Sequence, residues 1–539
     1  MNGASARSPR WRISALHPTV PLLIAAAWVT AVAAASVLAP AQVRGPATLA
    51  AGTAVIIIAF LRVPKPTLAA FALVVLFYDT FSLWLGGGIE QIDEVVVPAL
   101  VLISFWRLRP WRRGLFEPVR DGAILTVFVL GVVSSLLASV PHEIWLISLL
   151  LMVKVVAFLY VVLWHEYTEA DVRQVTTAVG AVAFGVLALG ALELVNGPAL
   201  RAALDLPTIA NPRAQLPGLK SVFYHPVLFS WFCSFVALFM FGYHAVYRRW
   251  PLLLGGLLFS AGSFLSGRRR GILGLALGLV GGVIADRQGG RPWRVHGRRW
   301  LPAVAALMAL SAFFLPSVVS LIELTVEPPR PPAMTPAPAP SPVAQQPTPR
   351  PTAVSTPSTT AASVPSPATT PRPGAPTRPS ELRTQDARLA LYLTSIDVAR
   401  DHFPLGAGLG RYGSPLSRSP YSPVYESYGL NFVYGLGWEH TSYITDTFWP
   451  QILGEAGVFA LLAYLVFVGA ITVALWRATR EAASPYLYAF ALATWMVFLH
   501  ALVETLASSM FHSPPRIYLL FGCVGVVLAL SRGRREGPS

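Results

Sequence analysis

Residues 144–164 read IWLISLLLMVKVVAFLYVVLW, a stretch in which Lys154 is the one charged side chain. About 20 consecutive apolar residues are needed for a helix to cross the hydrocarbon core of a bilayer. Similar runs recur from His17 to Leu530, separated by short polar breaks. The whole chain is 54% hydrophobic and 12% charged, whereas soluble proteins have about 25% charged residues. The sequence therefore predicts an all-α polytopic membrane protein and excludes an ordinary soluble enzyme.

The apolar runs divide into about fourteen predicted membrane spans. They lie at 18–39, 47–63, 67–85, 91–106, 121–140, 144–164, 172–194, 225–246, 251–266, 271–286, 301–322, 449–475, 485–507 and 515–531. The fourth span is interrupted or bordered by Asp93, Glu94 and Pro98. The first span follows three arginines and is interpreted as a retained anchor, with a cleaved signal peptide as the alternative.

The two cysteines, Cys233 and Cys523, both lie inside apolar runs that are far apart in the sequence. Cysteines in such surroundings pack as small hydrophobic side chains. A disulfide scaffold and a cysteine-ligated zinc site are therefore excluded. The sequence also lacks a Walker motif, and neither a cofactor nor a nucleic-acid partner is predicted.

The net charge of +15 is concentrated in alternate polar breaks, as expected when Lys and Arg collect on the cytoplasmic side. With the N-terminus inside, the cytoplasmic breaks hold Arg62, Lys65, Arg107, Arg109, Arg112, Arg113, Arg120, Arg248, Arg249, Arg287, Arg291, Arg294, Arg298, Arg299, Arg477, Arg480, Arg532, Arg534 and Arg535. The exception is the connection at 266–271, which puts Arg268, Arg269 and Arg270 on the outer side. Either these three arginines bind an anion there, or the topology is wrong by one span.

The chain is predicted to have four parts. Residues 1–325 hold the first eleven spans, 326–381 form a disordered tether rich in Pro, Ala, Ser and Thr, 382–448 form a folded extracytoplasmic loop, and 449–539 hold the last three spans. The tether composition cannot bury enough apolar surface to fold.

An amphipathic helix is predicted at the start of the folded loop, within 382–402. Apolar residues recur there at helical spacing. They are Leu389, Tyr392, Leu393, Ile396 and Ala399. We expect this loop to cover the membrane face as a lid.

Two groups of side chains on the predicted outer side are candidates for chemistry. Arg268, Arg269 and Arg270 offer the fixed fork of donors that suits phosphate, and a lipid-linked pyrophosphate is the anion expected near the headgroups. His440 lies just before the span that begins near Phe448. Histidine acts as a general base near neutral pH, although at a membrane interface it is commonly only a polar anchor.

A looser set of candidates flanks the same predicted outer loops. It consists of Arg213, Lys220, His225, Arg411, His512 and Arg516. The stretch PLGAGLG at 404–410 is only weakly similar to a phosphate-binding loop, because no strand-to-helix context surrounds it. Lys154, at hydrocarbon depth, is either functional or paired with Glu193 or Asp79.

Three stretches resemble motifs of the O-antigen ligase and polymerase family. FLSGRRRGILGLALGL at 264–279 is similar to a serine-arginine-small motif that opens a membrane span. PLGAGLGRYG at 404–413, followed by HTSYITDTFWPQILGEAGVFALLAYLVF at 440–467, resembles a turn, a histidine-led segment and a Glu-Ala-Gly into the next span. SVFYHPVLFSWF at 221–232 is similar to a histidine-proline stretch at a span start.

The resemblance implies a membrane glycosyltransferase of the GT-C type in the bacterial cytoplasmic membrane. Its donor would be an undecaprenyl-pyrophosphate-linked glycan on the outer face, used without a nucleotide sugar or a metal. The acceptor would be another lipid-linked repeat in a polymerase, or a lipid or protein in a ligase; the polymerase is favoured.

The resemblance also implies roles for individual residues. Arg270 takes the place of the family arginine, with Arg268 or Arg269 as the alternative, and His440 takes the place of the histidine that engages the acceptor. Thr441 follows His440 where the family commonly has asparagine. Substrate binding is assigned to a wider set, namely Arg268, Arg269, Arg213, Lys220, His225 and Arg411.

A transporter of an anion or of a lipid-linked sugar is the competing class. It would use the same arginines as a pathway. It is also expected to hold paired charges near the middle of the bilayer, where Lys154 stands nearly alone in the sequence. The sequence therefore favours an enzyme over a transporter.

Overall fold

The computed structural model describes residues 19–85, 88–110, 116–206, 218–267, 269–287, 386–512 and 514–535, with a few positions between 300 and 308. Within these ranges the chain forms helices and no β-strand. Nine of the described helices are long and apolar enough to cross a membrane, and one bent pair would make a tenth. The prediction of an all-helical polytopic protein is confirmed, whereas the count of fourteen is not.

Eleven helices precede the long break and six follow it in the described ranges. The first group is α1 Val20–Leu38, α2 Arg44–Arg62, α3 Pro64–Leu76, α4 Tyr78–Leu85, α5 Ile92–Leu108, α6 Pro118–Leu137, α7 His142–Leu163, α8 Glu169–Ala203, α9 Pro226–Tyr247, α10 Trp250–Leu265 and α11 Arg269–Arg287. The second group is α12 Ala387–Asp401, α13 Pro423–Ser427, α14 Trp449–Ala456, α15 Val458–Arg480, α16 Pro485–Glu504 and α17 Arg516–Arg535. The tether at 326–381 and nearly all of the span predicted at 301–322 lie outside the described residues.

Two predicted spans are not single straight helices. The span at 67–85 consists of α3 and α4, which are bent by 68° relative to each other. The span at 449–475 is broken at Gly457, where φ is +88°. A Cβ atom at Gly457 would lie 2.5 Å from the carbonyl carbon of Leu405. The break occurs because another segment crosses there and only glycine fits both the conformation and the space.

One end of the helix bundle collects the arginine-rich breaks. Arg107 at the end of α5 donates to the carbonyl of Leu61 at 3.1 Å, and Lys65 in the first turn of α3 pairs with Asp171 in α8 at 2.8 Å. Ser484, before α16, donates to Glu169 in α8. We call this the basic end.

The opposite end carries the segment 386–448, which we call the cover. Ser134 at the end of α6 donates to the Gly406 carbonyl at 2.8 Å, and Gly410 packs against Ile144 in the first turn of α7. The start of α11 lies at this same end, since Gly271 packs against Ser230 near the start of α9. The arginines that open α11 are therefore on the cover side and not at the basic end.

The cover has a hydrophobic core of its own. Its buried members are Ala387, Ala390, Leu391, Val398, Ala407, Tyr412, Tyr425, Leu430, Val433, Leu436 and Ile444. The Tyr412 hydroxyl donates to the Leu391 carbonyl at 2.6 Å, and Arg388 pairs with Asp446 at 2.5 Å. These contacts tie α12 to the loops that follow it.

The helix predicted within 382–402 is confirmed as α12, and three of the apolar residues that recur at helical spacing lie on its exposed side. Leu389, Leu393 and Ile396 are 52%, 48% and 58% exposed. The face turned toward the cover carries small residues such as Ala390 and Ser395. The same face also carries Leu391 and Val398, which are fully buried in the core of the cover.

Candidate functional site

The backbone amides of the glycine-rich stretch at 404–410 donate hydrogen bonds to residues of α6 and α14. The amide of Gly406 donates to Ser134 Oγ at 3.2 Å, and that of Leu409 donates to Ser135 Oγ at 2.8 Å. The amides of Ala407 and Gly408 donate to the carbonyls of Gly454 and Glu455. Since these donors are occupied, the stretch does not serve as a phosphate-binding loop.

The Glu455 side chain, at the end of α14, anchors the residues after the glycines. Its carboxylate accepts from the amide of Tyr412 at 3.1 Å and from Nε2 of Gln451 at 3.4 Å. Gly410 and Ser414 are further donors to it, and burial raises the pKa of Glu455 to about 7. The carboxylate thus fixes the backbone on both sides of Arg411.

Arg411 is part-buried between these two anchored positions. Burial lowers the pKa of its guanidinium. Within the described residues its side chain makes no ion pair or hydrogen bond. Partial burial of a cation that has no partner among the described residues carries a desolvation cost, so Arg411 is suited to bind an anion that enters from outside.

Polar contacts continue from Glu455 toward α16 and α17. Gln451 Oε1 lies 3.3 Å from His512 Nδ1, and burial lowers the pKa of His512 to about 3, which keeps this imidazole neutral near pH 7. Four residues further on, Arg516 at the start of α17 lies 3.8 Å from Glu504 at the end of α16.

The first turn of α11 lies beside the last turn of α16, at the height of Glu504. A Cβ atom at Gly274 would meet the His500 ring at 2.2 Å, and one at Gly278 would meet the Met496 carbonyl at 3.0 Å. The two helices are therefore antiparallel, so one turn back along α11 corresponds to one turn forward along α16. This pairing sets the backbone of Arg270 level with Glu504.

The predicted arginines are described to different extents. The backbones of Arg269 and Arg270 form the first turn of α11, and their side chains lie outside the described part. Arg268 and Arg213 also lie outside it. Their assigned roles stay predictions.

Sequence reasoning missed His500 and Glu504. Both are buried, at 0% and 3% exposure, and neither ring nitrogen of His500 has a hydrogen-bond partner in the described part. The signal was present, because two ionisable residues four positions apart in an apolar run share one helix face.

Lys220 and His225 have local structural contacts. The amides of Lys220 and Ser221 donate to Glu193 Oε2 at 2.9 and 2.6 Å. His225 is the N-cap of α9, and its Nδ1 accepts from the amide of Val227 at 3.2 Å. These contacts account for both segments without a ligand, and the predicted substrate contacts of the two residues stay untested.

His440 lies on the surface of the cover and is exposed. Its ring is 5.8 Å from that of Tyr434, and Tyr434 and Trp438 are 68% and 67% exposed. We call Tyr434, Trp438 and His440 the aromatic patch. Within the described residues, His440 has no hydrogen bond or ring contact to Arg411. The side chain of Arg270 lies outside the described part, so the joint role of Arg270 and His440 stays a prediction.

Lys154 forms ion pairs with acidic side chains, but the prediction that it pairs with Glu193 or Asp79 is wrong. Its ammonium lies 2.8 Å from Asp93 Oδ2 and 3.3 Å from Glu94 Oε1, while Glu193 pairs with Arg201. The Tyr518 hydroxyl also donates to Asp93, at 2.8 Å. The expectation of an isolated intramembrane charge, which counted against transport, is therefore overturned.

No group of three or more His, Cys, Asp or Glu side chains in the described ranges is arranged to hold a metal ion. In comparisons with known proteins, no family matches the chain and no curated protein matches it. The resemblance to O-antigen ligases and polymerases thus rests on the quoted motifs.

Proposed function

We propose that the protein is a membrane glycosyltransferase of the cytoplasmic membrane. It would transfer or polymerise a glycan from an undecaprenyl-pyrophosphate carrier on the extracytoplasmic face. The observation that carries the proposal is the chain of polar contacts from the Arg411 loop through Glu455 and Gln451 to His512. Four residues after His512, Arg516 lies 3.8 Å from Glu504, which is level with the backbone of Arg270. These contacts lie at the cover end of the bundle, where α11 also begins, and this common location supports the proposal.

On the donor side, Arg270 binds the pyrophosphate, helped by Arg268, Arg269 and Arg411. The N-terminus of a helix such as α11 favours anions because its amides are unpaired and its dipole is positive there. As the bond from the anomeric carbon to the phosphate oxygen breaks, its electron pair moves to that oxygen. The arginines stabilise the negative charge that develops.

The carrier lipid has access to this end of α11 from the bilayer. The helix turns an apolar, exposed face outward, formed by Leu273, Leu277, Val280 and Ile284. A polyprenyl chain lying along this face would leave its pyrophosphate near the first turn of the helix.

On the acceptor side, His440 removes the proton from the incoming sugar hydroxyl, whose oxygen then bonds to the anomeric carbon. The exposed rings of Tyr434 and Trp438 offer flat apolar surfaces on which the C–H face of a sugar ring can stack. In the polymerase form the acceptor is another lipid-linked repeat; in the ligase form it is a lipid or a protein.

Replacing Arg270 by alanine tests the donor side. Purified protein in liposomes receives a lipid-linked oligosaccharide, and chain growth or transfer is followed. We expect activity to fall by about 10²–10³-fold, the usual effect of losing one stabilising donor. Arg287→Ala, at the opposite end of α11, is the matched control, and full activity of Arg270→Ala would refute the assigned role.

Replacing His440 by alanine tests the acceptor side in the same assay. We expect a loss of about 10²-fold or more, as for a general base. His402→Ala is the control, because His402 is another exposed histidine of the cover. Retention of full activity by His440→Ala would show that a different group receives the proton.

A transporter of an anion or a lipid-linked sugar is the second candidate. The buried pair of Lys154 and Asp93 favours it, since paired intramembrane charges are typical of transport pathways. In proteoliposomes, a transporter would lose substrate flux in Lys154→Gln while forming no glycosidic product. Product formation without flux would support the enzyme.

A further inference from the structure

The exposed side of α12 carries an apolar stripe although the helix does not span a membrane, and the acidic side chains of Asp397 and Asp401 are exposed beside this stripe. Leu389, Leu393 and Ile396 are spaced by four and three residues, so they form one stripe. Each is about half exposed. A helix face in contact with water normally carries polar side chains, and a contiguous exposed apolar patch marks an interaction surface.

This stripe is continuous with the membrane-facing surface of α15. Phe403, just after α12, is 64% exposed, and its ring lies 6.1 Å from that of Phe459 in the first turn of α15. Phe459 is 50% exposed and Leu462, one turn further along the span, is 51% exposed. The apolar surface therefore runs from a membrane-crossing helix directly onto the cover.

The ends of the α12 stripe also suit a lipid surface. Tyr392 beside the stripe donates its hydroxyl to the Leu506 carbonyl at 3.0 Å, and Leu506, in the loop after α16, is itself 56% exposed. Arg400 is exposed one turn beyond Ile396 on the same side of the helix. A basic side chain beside an apolar stripe is typical of helices that lie in the headgroup region.

We propose that the Leu389, Leu393 and Ile396 face of α12 binds the lipid of the adjacent bilayer leaflet and holds the cover flat on the membrane. The apolar side chains enter the boundary between headgroups and acyl chains, to a depth of about 5–10 Å for helices of this kind. Arg400 reaches the headgroup phosphates. This lipid contact does not depend on the reaction that the protein performs.

Depth-dependent fluorescence quenching tests the contact in the full-length protein. Leu393→Cys is labelled with bimane and reconstituted in phosphatidylcholine–phosphatidylglycerol vesicles, with or without lipid that carries a doxyl group at acyl carbon 5. Ser427→Cys is the matched control, since Ser427 is an exposed residue of the cover on α13. The unsubstituted chain gives the background from Cys233 and Cys523.

We expect doxyl lipid to quench the label at residue 393 far more than the label at 427, and aqueous iodide to do the reverse. Ile396→Cys repeats the measurement at a second position of the stripe. Equal quenching by iodide at 393, 396 and 427, with none by doxyl lipid, would overturn the proposal. Protection from both quenchers, together with disulfide-linked dimers of Leu393→Cys, would overturn it in favour of a second copy of the chain.

Discussion

Replacing Lys154 by methionine removes the positive member of a buried ion pair while keeping a side chain of similar length. The Lys154 ammonium is 2.8 Å from Asp93, and the two side chains are 3% and 4% exposed. The substitution leaves the Asp93 carboxylate in an apolar interior. Its remaining described hydrogen bond is the one donated by Tyr518.

The size of the effect follows from these contacts. Removing one partner of a buried ion pair typically costs about 3–5 kcal/mol, because the other charge is left uncompensated. The Glu94 carboxylate, 37% exposed, keeps its water and adds little. Because the Tyr518 hydroxyl still donates to Asp93, we expect a loss near the lower limit, about 3 kcal/mol.

The free energy of unfolding is measured in mixed micelles of mild detergent and dodecyl sulfate. Asp93→Asn combined with Lys154→Met completes a double-mutant cycle, and this double variant should recover most of the loss because no charge is stranded. Lys65→Met is the control. Its pair with Asp171 is more exposed, at 29% and 24%, and such pairs contribute about 0–1 kcal/mol.

A cost below about 1 kcal/mol for Lys154→Met would refute the reasoning, since the pair would then behave as a surface pair. So would a double variant as unstable as Lys154→Met itself. Either result would mean that an uncompensated charge on Asp93 is not the source of the cost.

Two further predictions concern the loop that carries Arg411. The raised pKa of Glu455 makes its contribution to stability complete below about pH 4.5 and progressively lost up to about pH 7, by about 3 kcal/mol in all. Glu455→Gln, which does not ionise, should remove this slope when unfolding is measured from pH 4 to pH 8, and an unchanged slope would contradict the assignment. Gly406→Ala should destabilise the protein by about 1–3 kcal/mol, because its Cβ would lie 2.4 Å from the Glu455 carbonyl carbon. Gly180→Ala, in α8 with nothing within 4 Å, should be neutral or stabilising by up to about 1 kcal/mol; equal melting temperatures of the two variants would argue against the close packing.

The positions of most spans were predictable because hydrophobicity is a local property of the chain. A run such as 144–164 must bury its backbone polar groups in a helix to enter a bilayer, whatever its neighbours are. The break at Gly457 was not predictable, since it depends on Leu405, a residue from another segment that crosses there.

The candidate site was predictable only as separate motifs. The three arginines at 268–270 indicate anion binding, and His440 indicates base chemistry, because these chemistries follow from the residue types alone. The contacts among Glu455, Gln451 and His512 join residues of different segments, and no local pattern specifies such pairs.

The sequence by itself determined that the chain crosses a membrane many times, that its basic residues alternate between breaks, and that α12 is a helix with an apolar stripe. Only the tertiary structure decided that the stripe of Leu389, Leu393 and Ile396 faces outward and that Lys154 pairs with Asp93 rather than with Glu193 or Asp79. The reason is that helical period defines which residues share a face, whereas the partner of that face depends on how distant segments pack. In a membrane protein an apolar helix face can be buried equally well against protein or against lipid. Hydrophobicity alone therefore does not determine which of the two covers the face.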